Sequence, residues 1–233
     1  MKKYIPNFIT SLNLASGFAA VIFAADNNIL MAAGFIAVAM VFDFCDGFAA
    51  RVLNARSAIG KELDSLADVV SFGVAPAVIM YQLMMAASPS VGHSVQLIMI
   101  FAMAVMPVCA ALRLAVFNLD TTQATSFRGL PTPANAIAVI SLAVTSGISD
   151  SSIIAFLTGN PVTIVITTIV LSLLMVSRIE LFSLKVSNLK LKGNESRYLM
   201  LLMLVIAIAV TDIAGLTLIV PVYIVASLAS RWF

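Results

Sequence analysis

Histidine is nearly missing from this chain: His93 is the single one among 233 residues. A metal site built on imidazole is thereby excluded. Cysteine is scarce as well. Cys45 and Cys109 both lie inside apolar stretches, so no disulfide framework is implied. Charged residues make up only 10% of the chain, and no polar segment is long enough to build a soluble domain. No internal repeat is visible. What fills the chain is apolar: 61% of residues are hydrophobic and the mean hydropathy is +1.08. A water-soluble domain rarely reaches that value, because its surface needs charge.

The apolar runs are each about long enough to cross a ~30 Å hydrocarbon core. Short alternating strands, the mark of a transmembrane barrel, are not seen. The expected fold is therefore all-α, a polytopic membrane helix bundle forming one transmembrane domain over 1–233. Eight spans are expected, at roughly 6–25, 29–53, 60–86, 93–117, 131–148, 161–183, 197–212 and 215–232. The basic, apolar N-terminus superficially resembles a signal peptide. Pro6, Asn7, Thr10, Ser11 and Asn13 interrupt it, and it reads as a retained first helix with Pro6 in its first turn. Gly73, Pro76, Pro107 and Pro221 fall inside spans and are expected to bend them.

Charge sets the expected orientation. All 13 Lys and Arg residues lie toward one face. Lys2 and Lys3 precede span one. Arg51, Arg56 and Lys61 surround the turn between spans two and three. Arg113 and Arg128 flank the next loop on that side. Arg178, Lys185, Lys190, Lys192 and Arg197 surround the connection between spans six and seven, where "KVSNLKLKGNESR" reads as a basic loop at the headgroup surface. Arg231 ends span eight. By the positive-inside rule this face is cytoplasmic, with both termini inside. The expected location is the cytoplasmic membrane. No nucleic-acid partner is expected.

Against this background one stretch stands out: "DFCDGFAARVLNARSAIGKELDSLAD", residues 43–68. Asp43 and Asp46 are three apart on span two, and Asp64 and Asp68 four apart on span three. These spacings put each pair on one helical face. A short turn near 54–59 makes the two spans antiparallel neighbours. A rise of ~1.5 Å per residue sets Asp43 and Asp68 at a similar depth, roughly 12–15 Å from the cytoplasmic end. Ionised carboxylates there cost at least several kcal/mol unless protonated, paired or bound to cations. Too few basic residues lie at matching depth to pair four acids. An all-oxygen ligand set suits Mg²⁺ or Mn²⁺, and two divalent ions balance four carboxylates. Two such ions can also clamp the oxygens of a phosphoryl group during displacement. A cation pathway would carry membrane acids too. It leaves Gly47, Ala50, Arg51 and Gly60 unexplained. Gly47 and Ala50 leave room for close helix contact or a flat ligand. Arg51 offers a fork to phosphate. Gly60 lets backbone approach a substrate at the mouth.

The pattern Asp-x2-Asp-Gly-x2-Ala-Arg-x8-Gly-x3-Asp-x3-Asp resembles the signature of the CDP-alcohol phosphotransferase family at every fixed position. Further likeness lies in "PNFITSLNLASG", "GKELDSLADVVSFGVAPA", "LRLAVFN" and "FRGLPTPANA". These look most like the integral-membrane members that use serine. Val116 stands where that subgroup has a second arginine. The likeness covers residues 5 to about 136. It implies a six-helix core, here with two extra spans at about 197–232, a dinuclear Mg²⁺ or Mn²⁺ site and a homodimer. It implies transfer of a phosphatidyl group from CDP-diacylglycerol to L-serine, with release of CMP. Glycerol 3-phosphate, inositol and inositol phosphate are the alternative acceptors. On this reading Asp43, Asp46, Asp64 and Asp68 hold metal, and Asp68 also removes the acceptor's proton. Asn7, Thr10, Gly47, Ala50, Arg51 and Gly60 bind the CDP-lipid. Arg113, Asn118 and Arg128 shape the acceptor pocket.

Overall fold

In a computed structural model of the chain, residues 4–88, 92–119, 126–182 and 195–229 are described. Lys2, Lys3, Lys185, Lys190, Lys192, Arg231 and most of the basic loop lie outside them. Ten α-helices run through these residues: α1 Tyr4–Ala25, α2 Ile29–Val52, α3 Ala58–Asp68, α4 Ala75–Ala86, α5 His93–Leu119, α6 Thr132–Ser146, α7 Ser152–Thr158, α8 Pro161–Val176, α9 Glu195–Thr211 and α10 Ile219–Ala229. A π-helical segment, Val69–Val74, joins α3 to α4, so that Ala58–Ala86 runs on as one span. The architecture is that of an all-α polytopic membrane protein, and a helix lies in each of the eight expected stretches. By length and apolarity five helical stretches among the described residues are able to cross a membrane, or six with the bent α7–α8 pair as one. Ser196–Ala229 counts among these as one helical stretch. The chain reverses inside it, however, and α9 packs on α10. Asp212 sits at φ 53°, and a Cβ on Gly215 would meet the Ile208 Cα at 2.7 Å.

Two expectations need correction. Span six does not extend to 183. It ends at Val176, where Ser177 turns to extended backbone, and β2 (Glu180–Phe182) follows. β2 pairs antiparallel with β1 (Ser126–Arg128), setting Arg128 opposite Glu180. The stretch before span six is not simply a loop. Its Ser152–Thr158 forms α7, bent by 86° from α8 at Gly159–Pro161. Apolarity alone reads both boundaries poorly, because these residues are moderately apolar whichever way the backbone turns.

Turn chemistry follows the sequence. Asn27 and Asn54 adopt positive φ at the ends of α1 and α2, a conformation that Asn tolerates. Gly129 (φ 75°) closes the approach to α6, where a Cβ would meet the Ser177 carbonyl oxygen at 2.9 Å. α1 packs along α2 and also against α3, the π segment and α4. The π segment packs against α1, α5 and α6. Ser71 Oγ donates to Asn13 Oδ1 of α1 at 2.7 Å. Asn135 Nδ2 of α6 donates to the Phe72 carbonyl at 3.2 Å. A Cβ on Gly73 would meet the Pro107 Cα of α5 at 3.3 Å. The wider turn disturbs the helical ladder, and a neighbouring helix satisfies the carbonyl that faces it.

Gly17 is what lets α1 come this close, since a Cβ there would meet the Ser71 Cα at 2.8 Å. Gly17→Val is expected to destabilise the bundle by about 1–3 kcal/mol, as overpacking does. Thermal unfolding in detergent checks this. Gly34→Val serves as the control, because a Cβ at Gly34 meets no atom within 4 Å.

Candidate active site

Helical periodicity brings the acids to one place. Asp43 of α2 and Asp64 and Asp68 of α3 each offer a carboxylate oxygen, and these oxygens lie within 4.8 Å of one another. Asp46, one turn on from Asp43, is buried and faces a cavity that Asp64 also lines. Two buried oxygens, Asp46 Oδ2 and Asp64 Oδ1, have no hydrogen-bond partner. Asp68 is buried at the end of α3. Asn13 Nδ2 donates to its Oδ1 at 3.3 Å, while Asn13 is itself fixed by Ser71. Buried carboxylates so near one another repel strongly at low dielectric. Orphaned oxygens in an all-oxygen donor set are what a hard divalent cation satisfies. The residues present therefore fit such an ion.

The cavity beside Asp46 and Asp64 has a volume of about 480 Å³. Five of the six residues expected to bind the CDP-lipid line it: Asn7, Thr10, Gly47, Ala50 and Gly60. A Cβ on Gly47 meets nothing within 4 Å, so this position is open space. A Cβ on Gly60 would meet Asn7 Oδ1 at 2.9 Å, so the turn into α3 and the start of α1 touch through a glycine. Ser57 caps α3 by accepting from the Gly60 N–H at 3.0 Å. Arg51 is not among the lining residues. It is exposed, and its Nε donates back to the Gly47 carbonyl at 3.0 Å. Arg56 and Lys61 line the cavity instead. The sequence reading used these two only for orientation. Their place in the turn between the two aspartate helices was the available signal.

A second cavity, of about 830 Å³, opens between α5, the end of α8 and the β ribbon. Arg113 and Arg128, both expected in an acceptor pocket, line it. Arg178, Ser177 and Glu180 line it too and were not singled out. Arg113 sits on α5, which packs against α3, the helix that carries Asp64 and Asp68. Its Nε is buried without a partner, and its guanidinium carbon stands 6.0 Å from the Phe117 ring centroid. Asn118 is not brought to this cavity. Its amide donates to Ser65 Oγ at 2.9 Å and its carbonyl accepts from Lys61 Nζ at 2.6 Å, tying α5 to α3. Asn13 was overlooked as a partner of Asp68. Its signal was the three-residue step from Thr10 on a helix that already carried polar side chains.

The model of the CDP-alcohol phosphatidyltransferase family matches residues 3–176. A Bacillus subtilis protein, CDP-diacylglycerol–serine O-phosphatidyltransferase, is 37% identical over 178 residues, which is 76% of this chain and 89% of that protein. A Helicobacter pylori protein of the same name is 30% identical over 230 residues, covering 97% of this chain and 90% of its own length. A Mycobacterium leprae protein of that name is 41% identical over 147 residues, or 60% of this chain. This match spans somewhat under half of the mycobacterial relative, 46% of its length. The matched stretch contains both aspartate helices and the whole first cavity, and the chain belongs to the CDP-alcohol phosphatidyltransferase family.

Proposed function

We propose that this protein transfers the phosphatidyl group of CDP-diacylglycerol to the hydroxyl of L-serine, yielding phosphatidylserine and CMP. The observation that carries this is the convergence of Asp43, Asp64 and Asp68 beside a cavity that Asp46 and Asp64 line. The names of the relatives support serine as the acceptor. On this reading Asp43, Asp46, Asp64 and Asp68 hold two divalent cations, Mg²⁺ or Mn²⁺. Bound there, such ions neutralise the diphosphate and favour attack at phosphorus.

The chain's own residues do the rest. The first cavity receives the cytidine diphosphate. Gly47 and Ala50 leave room for it, Asn7 and Thr10 offer polar groups, and Arg56 and Lys61 bring positive charge to the phosphates. The second cavity receives serine, whose carboxylate Arg113 and Arg128 neutralise. The serine oxygen bonds to the phosphorus on the lipid side. The bond from that phosphorus to the oxygen bridging it to the cytidylyl phosphate breaks, and CMP leaves. Asp68 takes up the hydroxyl proton as the oxygen attacks. Asn13 holds the Asp68 carboxylate by one oxygen and so orients it. Catalysis here is mainly positioning and electrostatics. The site faces the cytoplasm, with both termini on that side, because Arg51, Arg56, Lys61, Arg113 and Arg128 gather at one end. A homodimer belongs to this reading on the family likeness.

The direct test is CMP release by purified protein from CDP-diacylglycerol with serine, glycerol 3-phosphate, inositol or inositol phosphate. Serine is expected to be used at least tenfold better than the others. Preference for any other acceptor overturns the assignment.

Asp43→Asn and Asp64→Asn are each expected to abolish Mn²⁺-dependent turnover and to weaken Mn²⁺ binding measured calorimetrically. The thermal midpoint of the metal-free protein should not fall. Full activity in either variant removes the metal reading.

Ser57→Cys, placed at the mouth of the first cavity, is expected to react with a membrane-impermeant thiol reagent only in inside-out vesicles. Labelling in intact cells reverses the orientation.

A further inference from the structure

The second cavity carries a feature that the transfer chemistry alone does not call for. Three arginines, Arg113, Arg128 and Arg178, line it together with one acid, Glu180. Three cations suit the carboxylate of an amino acid and repel its ammonium. Strand pairing sets Glu180 directly opposite Arg128, so an acid and a base stand side by side on the cavity wall. Directly opposed residues in an antiparallel pair have Cβ atoms about 4.5–5.5 Å apart. A free α-amino acid presents the complementary pair, an ammonium and a carboxylate on one carbon.

We propose that Glu180 is the specificity-determining residue that accepts the ammonium group of a zwitterionic acceptor. This rests on the assignment of the second cavity to the acceptor, and it deepens that assignment. Glu180 and Arg178 lie beyond residues 3–176, the stretch matched by the family model. The wall is built to hold its shape. Leu181, between Glu180 and Phe182, is buried at 2% exposure. The Gly129 N–H donates to the Ile179 carbonyl at 2.9 Å. The Tyr223 hydroxyl of α10 donates to the Phe182 carbonyl at 2.8 Å, and the two rings meet edge to face at 5.3 Å. Tyr223 of α10 therefore braces the strand that carries Glu180, whose side chain is exposed at the cavity wall.

The experiment compares serine with 3-hydroxypropionate, which keeps the hydroxyl and the carboxylate and lacks the ammonium. Full-length wild type, Glu180→Gln and Glu180→Asp are assayed by CMP release from CDP-diacylglycerol with Mn²⁺. Glu180→Gln is expected to lower kcat/KM for serine about tenfold or more, chiefly through KM, the loss of one charge-assisted hydrogen bond. The KM for CDP-diacylglycerol should stay within twofold. Competition by 3-hydroxypropionate against serine should hold or strengthen. Glu180→Asp should restore most of the serine preference. Parallel loss of serine and 3-hydroxypropionate recognition shows that Glu180 only props the ribbon, and overturns the proposal. An unmoved serine KM overturns it as well, while leaving the phosphatidyl-transfer reading intact. A wild type that releases CMP with another acceptor and not with serine overturns both.

Discussion

Buried carboxylate is the constraint on which this molecule turns. An apolar bundle gains nothing by drawing acids together, since each ionised group at membrane depth carries a penalty of several kcal/mol. Two helices nonetheless converge with Asp43, Asp64 and Asp68 oxygens within 4.8 Å. The surrounding fold makes this tolerable by holding each group where compensation reaches it. Asn13 donates to Asp68, Ser71 holds Asn13, and Gly17 admits α1 against Ser71. This chain of contacts runs from the first helix into the π segment directly after the last aspartate.

The π segment explains how one helix serves both site and bundle. Up to Asp68 the chain follows the α-helical period, which keeps Asp64 and Asp68 on one face. Beyond Asp68 the wider turn presents Ser71 to α1, the Phe72 carbonyl to α6 and Gly73 to α5. Three helices are thereby referenced to a point within one turn of Asp68. π bulges are frequent at functional sites, since they re-aim side chains without ending the helix. Pro76 sits just past the segment, where a missing N–H costs little in an already disturbed ladder.

The two cavities differ in ways that match a two-substrate reaction. The first is framed by small residues of α2 and by the turn into α3, with Arg56 and Lys61 at its walls. The second is larger and is lined by arginines from α5, β1 and the segment between α8 and β2. Arg113 lines the second cavity from α5, which packs against α3. A ligand in the first cavity lies beside Asp46 and Asp64.

Much of this was legible in the residue order. Mean hydropathy and the length of the apolar runs led to a helical membrane bundle, because the bilayer admits few other solutions. The three- and four-residue spacings of the aspartates led to their convergence, because helical geometry is local and periodic. Gly47, Ala50 and Gly60 were legible as the walls of a cavity, because small side chains leave space whatever faces them. Other features depended on distant parts of the chain. Asn118 was expected beside the arginines and bonds α3 instead, since its partners Ser65 and Lys61 lie more than 50 residues away. Arg51 folds back on Gly47, while Arg56 and Lys61 reach the cavity; the turn geometry after α2 decides which cation points inward. The pairing of β1 with β2, and the bracing of Phe182 by Tyr223, set Arg128 and Glu180 on one wall. The sequence alone determined the bundle and the meeting of its acids, through periodicity and the cost of polar groups in lipid. Only the tertiary structure decided which polar side chains share a cavity, because that depends on contacts between segments whose separation along the chain leaves no local signature.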